Sequence, residues 1–472
     1  MSDAARYDVI VIGSGVAGTC AAIEALEAGA SVLMLDGDAK MGGSSRITSG
    51  VIMGAGTRFQ EARGVKDDGQ ALYDYYMAVN RHSVQPSVAR RLCNEAGPTI
   101  HWLADRGVEI QDIFLAGGEP APRGHVVDGG EALMDPLHGW LQKFDKLDVA
   151  LNSYVERLLH KDGVVTGVAT ADGYEVEAAA VVMATGGMAA NLDLIAQWHP
   201  HAIGDAQGKL RYAHLETARG DGIRLGSQVG AQFEGTGRGS RSTVGPLAGA
   251  YLPGYIMVVN RLGRRFYDET SAYALTEVRM SAQPGCVSHL IIDEATKTSV
   301  KTTADVAKYL KFVINVAVPG LRNWTSDGID ELVAVGAIKK ADTLEALAAL
   351  IGVPPANLVG TVERYNGHVA AGEDRDYLKK GAWLRPVSTP PYYASPLAMS
   401  VMGVTGAGVR IDHDACVMHE TSRAIPGLYA AGECVGSVMG DVYVGSGNSL
   451  AACSVFGRVA GRNAAARALK GE

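Results

Sequence analysis

The chain first turns apolar at Val9-Ile10-Val11-Ile12, a run without polar interruption that follows Tyr7-Asp8 and stops at Gly13. Unbroken aliphatic and β-branched residues, rather than alternating ones, predict a strand buried on both faces of a parallel sheet. The alanine-rich residues 17–28 then predict a helix closed by Gly29, and residues 31–35 a second strand parallel to the first. Two later apolar strands repeat the theme. Residues 180–184 end in Thr185-Gly186-Gly187, and Leu428-Tyr429-Ala430-Ala431 ends in Gly432-Glu433. Between them, roughly 233–377, no such glycine turn occurs. Strands at 255–259 and 289–292 there mix with helices at 304–313 and 344–351. The pattern predicts an α/β fold: a Rossmann-like dinucleotide domain with a parallel sheet, interrupted by an α+β cap. We divide it as 1–232, a cap at 233–377, and 378–472, with hinges at Gly235-Thr236-Gly237 and at residues 386–391.

At 472 residues the chain exceeds one compact core, which agrees with two domains. Hydrophobic content of 47% with 20% charge is ordinary for a globular protein. Net charge is −8 and no basic tract occurs, which excludes nucleic acid as a natural partner. No apolar run approaches the roughly 20 residues of a membrane span. The first run also lacks the flanks of a signal peptide. Six cysteines stand far apart without a CxxC pair, as expected of free thiols in a reducing cytoplasm, and no metal-ligand spacing is present. A cytoplasmic protein is the expectation. The 59 glycines are numerous and not periodic, which suggests many close backbone approaches to a large ligand.

Gly13-Ser14-Gly15-Val16-Ala17-Gly18 fits GxGxxG at a strand–helix junction, and Asp36 closes the second strand. Such glycines permit a tight turn, approach of backbone to a pyrophosphate, and close packing of helix on sheet. The helix N-terminus faces the phosphates, and an acid at Asp36 accepts from the adenosine ribose while disfavouring a 2′-phosphate. The loop Met41-Gly42-Gly43-Ser44-Ser45, with Thr48-Ser49-Gly50, suits an extended diphosphate and ribityl chain, which points to FAD rather than NAD. Gly432-Glu433 places a carboxylate where a strand stops, fit for flavin hydroxyls. Gly447-Asn448-Ser449-Leu450 opens a final helix whose dipole favours negative charge on a reduced flavin.

These segments, together with Gly220-Asp221-Gly222-Ile223, Asn260-Arg261-Leu262-Gly263-Arg264-Arg265-Phe266, Ile425-Pro426-Gly427 and Val455-Phe456-Gly457-Arg458, resemble the flavoproteins of fumarate reductase and 3-ketosteroid dehydrogenase. The likeness covers nearly the whole chain. It implies non-covalent FAD, with Val155, Ala184, Thr185, Gly186 and Asp221 added to the cofactor set, and substrate between cap and isoalloxazine. Fumarate reductases bind a dicarboxylate through arginines and a histidine. The matching positions here are Tyr273, Val444 and Val404, all neutral. A dicarboxylate would be left with buried unpaired charge, at a cost of several kcal/mol.

The replacements resemble the ketosteroid dehydrogenase branch instead. There the tyrosine after the cap's Asn/Asp-Glu turn is the base, which matches Tyr273. A tyrosine opening a Tyr-x-Gly-x-Gly segment, with the last glycine's N–H, polarises the substrate carbonyl, which matches Tyr443 and Gly447. The resemblance thus implies α,β-dehydrogenation of a cyclic ketone, with α-proton abstraction and β-hydride transfer to flavin N5. The electron acceptor is not identified by the residues. Two departures widen the substrate class. No tyrosine follows Gly107-Val108, where Phe114 stands instead as a candidate substrate contact, and Tyr73, Tyr75 and Tyr76 read as core packing on an amphipathic helix. Arg238 and Arg241, near the cap's beginning, suit a carboxylate, so a smaller oxocyclohexane derivative competes with a 3-ketosteroid. The alternatives are an ene-reductase of an enone or unsaturated acid, and a catalytically silent flavoprotein.

Overall fold

The computed structural model describes residues 6–115, 119–200, 215–235, 241–247, 252–271, 273–309, 321–401, 406–440, 442–445 and 447–471. Arg238, Val404, Thr236 and Gly237 lie outside them, as do the side chains of Arg241 and Tyr273. The strands, in chain order, begin with β1 (Arg6–Ile12), β2 (Val32–Leu35), β3 (Val51–Met53), β4 (Asp112–Phe114) and β5 (Gly124–Val126). Next come β6 (Leu147–Ala150), β7 (Val155–Lys161), β8 (Val164–Thr170), β9 (Glu175–Met183) and β10 (Phe233–Glu234). Then follow β11 (Arg241–Val244), β12 (Met257–Asn260), β13 (Ser288–Asp293), β14 (Lys339–Ala341) and β15 (Tyr392–Val401). Last are β16 (Gly408–Val409), β17 (Cys416–Met418) and β18 (Ala424–Ala430).

The principal sheet runs β17-β18-β9-β1-β2-β6, with β7 and β8 attached beside β9. β1 lies parallel to both β2 and β9, and β18 parallel to β9. Val9, Ile10 and Val11 are fully buried at its centre, as an unbroken apolar strand requires. The helix Val16–Glu27 covers one face and packs along the last helix, Asn448–Lys470. Their contact is very close. A methyl carbon on Gly457 or Gly461 would lie 2.3 or 2.2 Å from the carbonyls of Ala17 and Ala21. Only glycine allows the two backbones this spacing.

A second sheet, β11-β15-β13-β12 with β14 on β15, is antiparallel and has a core on each side. Met257, Val259 and Ile291 face Leu347, Leu358 and Val362. Their strand neighbours Val258, Leu290 and Ile292 face Tyr267, Trp324 and Met280. The period-two alternation thus serves two helical layers. This is the α+β cap.

One expected boundary moves. Residues 378–401, assigned above to the second part of the dinucleotide domain, carry β15, which bonds to β11, β13 and β14 within the cap sheet. The prolines at 386–391 precede a cap strand and are not the return hinge. Strand membership is decided by partners more than 50 residues away, which local composition does not reveal. The chain passes between the two bodies at β10 and β16, which pair antiparallel as Phe233↔Val409 and Glu234↔Gly408. A methyl carbon on Gly408 or Gly436 would lie 1.9 Å from the Cys434 carbonyl or 1.8 Å from that of Glu234. Three backbones are stacked at this neck. A third, small sheet β3-β5-β4 lies against the last helix, with Met53 N–H donating to Gly447 O at 3.1 Å.

Candidate functional site

The ends of β1, β9 and β18 converge with the start of the last helix. Gly13 N–H donates to Leu35 O, Ala184 N–H to Ile12 O, and Ala431 N–H to Met183 O, so the three turns leave the sheet side by side. Gly13 has φ +102°, and a Cβ there would lie 2.3 Å from Ala184 O. A Cβ on Gly18 would lie 1.9 Å from Gly13 O. Gly15 differs, because its Cβ direction meets nothing nearer than Ser45 Oγ at 3.6 Å. The fingerprint is therefore closed by Gly13 and Gly18 and open at Gly15. That is the geometry for a phosphate against backbone amides at a helix N-terminus.

The loop expected to wrap the ligand is tied to this turn. Ser14 Oγ accepts from Gly42 N–H at 3.0 Å, and Ser45 Oγ from Val16 N–H at 3.1 Å. Gly42, Gly43 and Gly50 all hold positive φ, while Ser44 and Thr48 are half-buried and Ser49 is exposed. Asp36 accepts from Ser14 N–H at 2.8 Å, from the Ser14 hydroxyl, and through its other oxygen from Asp38 N–H at 2.8 Å. It fixes the fingerprint turn from behind.

Val155 opens β7 and is buried, with its carbonyl taking Arg224 Nη2 at 2.7 Å. Asp221 starts the helix Asp221–Gln228, held by the Tyr154 hydroxyl and by Arg224. The next residue, Gly222, packs on Cys434: a Cβ there would lie 2.6 Å from Cys434 Cβ. The Gly-Asp-Gly motif thus braces the β18 turn beside Thr185. Phe114 is buried at the end of β4 with its ring over Gly124.

Glu433, Ser449, Gly432, Gly406 and Cys453 line a small pocket. No group among the described residues donates to the Glu433 carboxylate, and burial pushes its pKa from the usual carboxylate range up to about 7. A desolvated carboxylate without donors suits a ligand chain bearing hydroxyls. With the open Gly15, it makes these residues fit FAD. In the folded apoprotein this group keeps its proton up to about pH 7, whereas the unfolded chain releases it near 4.5. Its contribution to apoprotein stability therefore falls as pH rises between the two. Hydroxyl donors need the ionised form, so FAD affinity is expected to climb from pH 5 to 7, by up to about tenfold per unit, then level. Flavin fluorescence titrations of apoprotein at several pH values measure this. Glu433→Gln should remove the slope, and a flat profile for the unaltered protein would refute the assignment.

Tyr443 is half-buried, and its hydroxyl accepts at 3.3 Å from the N–H of Ser449, a residue that lines this pocket from the first turn of the last helix. A phenol that accepts from a helix N-terminus becomes a better donor. Gly447 caps that helix with φ +87°, and its N–H has no partner among the described residues. A Cβ at Gly447 would lie 2.6 Å from Val51 O and 2.7 Å from Ile52 Cα, so glycine is required there. The phenol and this amide flank the same short segment. Val444 between them is buried, where a dicarboxylate site has an arginine in the resemblance above.

Tyr273 opens the cap helix Tyr273–Ser281, which packs on β11 and β15. Arg241 lies at the first position of β11. The turn before that helix is anchored by buried charges that spacing did not reveal. Arg265 forms a two-pronged pair with Glu269 at 2.9 and 2.8 Å and reaches Asp374 at 2.9 Å. Lys379 lies 3.4 Å from Glu269 and donates to Ile256 O at 2.6 Å. Burial alone would raise the Glu269 pKa, but Lys379 and Arg265 hold it below the usual carboxylate value. Two cations balance two anions, as burial demands.

Sequence reasoning also missed the role of Tyr75 and Tyr76. Tyr76 is wholly buried, but its hydroxyl donates to Val438 O at 2.7 Å, and Tyr75 reaches Val444 O at 3.4 Å. Beneath them Arg123 and Asp67 form a buried two-pronged pair, both bonds 2.8 Å.

Among the described residues no helix is long and apolar enough to cross a membrane. The chain is 30% identical over 478 residues to a probable fumarate reductase of Shewanella frigidimarina, covering 98% of this chain and 75% of that one. It is 30% identical to an NADH:fumarate oxidoreductase of Klebsiella pneumoniae, covering 98% of this chain but only 48%, about half, of that relative's length. The 3-ketosteroid Δ4-(5α)-dehydrogenase of Rhodococcus jostii, solved with 4-androstene-3,17-dione, matches with TM-score 0.79 and 28% identity over 98% of this chain and 97% of that one. Residues 8–450 match the family described as FAD binding domain. The chain therefore belongs to that family, as an FAD-dependent oxidoreductase of the fumarate reductase and 3-ketosteroid dehydrogenase group.

Proposed function

We propose that this enzyme desaturates a cyclic ketone, 3-ketosteroid-like or a smaller oxocyclohexane derivative, at the carbon–carbon bond next to the carbonyl. The observation that carries this reading is the pairing of Tyr443, its hydroxyl already accepting from Ser449 N–H, with the N–H of Gly447, which has no partner among the described residues. Two neutral donors suit the oxygen of an enolising ketone, where losing one can cost about 10²–10³ in rate. Tyr273 takes the α-proton on its phenolic oxygen, and bound FAD supplies the acceptor for the hydride that leaves the β-carbon. The likeness to the Rhodococcus jostii ketosteroid enzyme, whose whole length is nearly spanned, supports the substrate class. Arg238 and Arg241 at the cap's beginning would favour a ring ketone bearing a carboxylate.

A second reading runs the same residues in reverse, as an ene-reductase. It is favoured by the two relatives at 30% identity, which are named for fumarate. An anaerobic spectrum of the holoprotein with a saturated 3-ketosteroid, 4-oxocyclohexanecarboxylate, cyclohexanone and succinate tests both. Bleaching by either of the first two is expected. Turnover only with reduced viologen and an enone would reverse the direction, and bleaching by succinate alone would return the enzyme to dicarboxylates.

A further inference from the structure

The described residues of 438–447, which include Tyr443 and Gly447, lie between strand and helix and carry little regular structure of their own. They are fastened instead by one helix of the dinucleotide domain, Gly69–Val79, and its C-cap residue Asn80. Tyr76 donates to Val438 O at 2.7 Å and accepts from Asn448 Nδ2 at 3.3 Å. Asn80 Oδ1 accepts from Val442 N–H at 3.1 Å, while its Nδ2 donates to Tyr76 O at 3.3 Å, which fixes the orientation of the amide. Both side chains are fully buried. At Gly440 a Cβ would lie 2.2 Å from Asn80 Oδ1 and 2.6 Å from Val84 Cγ2, so the segment is pressed directly onto the amide.

These bonds bracket the reacting groups. Val442 immediately precedes Tyr443, and Asn448 immediately follows Gly447. A bond at each side of a short segment sets the spacing between its phenol and its amide, and donors act on a developing oxyanion only when held within a few tenths of an ångström.

We propose that Asn80 and Tyr76 are positioning residues for the carbonyl-polarising pair, acting through Tyr443 and Gly447 without touching substrate. This rests on the reading of that pair given above. The buried Asp67–Arg123 pair, with its guanidinium 5.3 Å over the Tyr75 ring, backs the same helix.

The test is a double-mutant cycle of Asn80→Ala with Tyr443→Phe in holoenzyme, with a saturated 3-ketosteroid and an artificial acceptor. Hydrogen exchange of the segment's amides is measured alongside. Asn80→Ala is expected to lower kcat about tenfold or more with KM changed less than threefold. In the Tyr443→Phe background it should cost less than twofold, because the group it positions is gone. Tyr76→Phe, which removes one oxygen and keeps the ring's packing, should lower kcat in the same direction. Exchange at Val442 should rise at least tenfold in Asn80→Ala while the principal sheet stays protected. Losses that multiply across the cycle would overturn the positioning role and leave the proposed activity standing. If the unaltered enzyme turns over no ketone, the activity falls and exchange alone decides. Faster exchange confined to the segment upholds the clamp, and unchanged exchange at Val442 sinks it.

Discussion

Replacing Tyr273 with phenylalanine is expected to reduce turnover about 10²–10⁴-fold, the usual contribution of a positioned general base, with FAD binding and ligand affinity nearly unchanged. The residue opens a helix whose approach is fixed by Arg265, Glu269, Asp374 and Lys379, so removing one hydroxyl leaves the cap's architecture intact. A phenol's reference pKa of about 10 also gives the loss a pH signature. In the unaltered enzyme log kcat should rise with pH until the phenol ionises, and that limb should vanish in Tyr273→Phe. Steady-state turnover with an artificial acceptor, paired with ligand titration of the flavin spectrum, separates rate from binding. Normal turnover would show that the base lies elsewhere.

The second large effect concerns cofactor retention, and two neighbouring glycines should respond differently. Gly18→Ala brings a methyl carbon to 1.9 Å from Gly13 O and 3.1 Å from Val11 Cγ1, where a backbone atom cannot yield cheaply. The turn must open. Apoprotein stability should fall by about 1–3 kcal/mol, as for other overpacked sites, and the purified protein should be colourless. Gly15→Ala meets no protein atom within 3.5 Å, its nearest neighbour being Ser45 Oγ at 3.6 Å. Its apoprotein should melt as the unaltered one does, yet bind FAD at least 100-fold more weakly if the open space at Gly15 receives the phosphate, since the added methyl would occupy it. Melting curves of apoprotein and flavin titrations distinguish the cases. Equal FAD affinity in Gly15→Ala would move the pyrophosphate away from this turn.

The nucleotide-binding elements were legible because their information is local. Val9-Ile10-Val11-Ile12 announces a doubly covered strand, Gly13 and Gly18 a turn that only glycine permits, and Gly432-Glu433 a strand end with a carboxylate. Residues whose roles depend on remote partners were not legible. β15 looks like linker because prolines precede it, and only its pairing with β11 and β13 places it in the cap. Tyr76 and Asn80 sit on an amphipathic helix that reads as ordinary packing, while the backbone they hold lies more than 350 residues along the chain. The quartet of Arg265, Glu269, Asp374 and Lys379 spans over a hundred residues, and charged side chains read as solvated until a fold buries them.

The glycine-spaced contact between the helices Val16–Glu27 and Asn448–Lys470 has a consequence for biosynthesis. A ribosome delivers the fingerprint turn some 430 residues before its opposite wall. At about 5–20 residues per second, the nascent chain spends roughly 20 to 90 seconds with the first helix lacking its partner. During that interval the apolar flank made by Ala17, Ala21 and Ala25 is exposed to whatever is nearby, and flavin capture is postponed until the later helix has emerged. Supply of free flavin during synthesis should therefore matter less to yield than protection of that flank by chaperones.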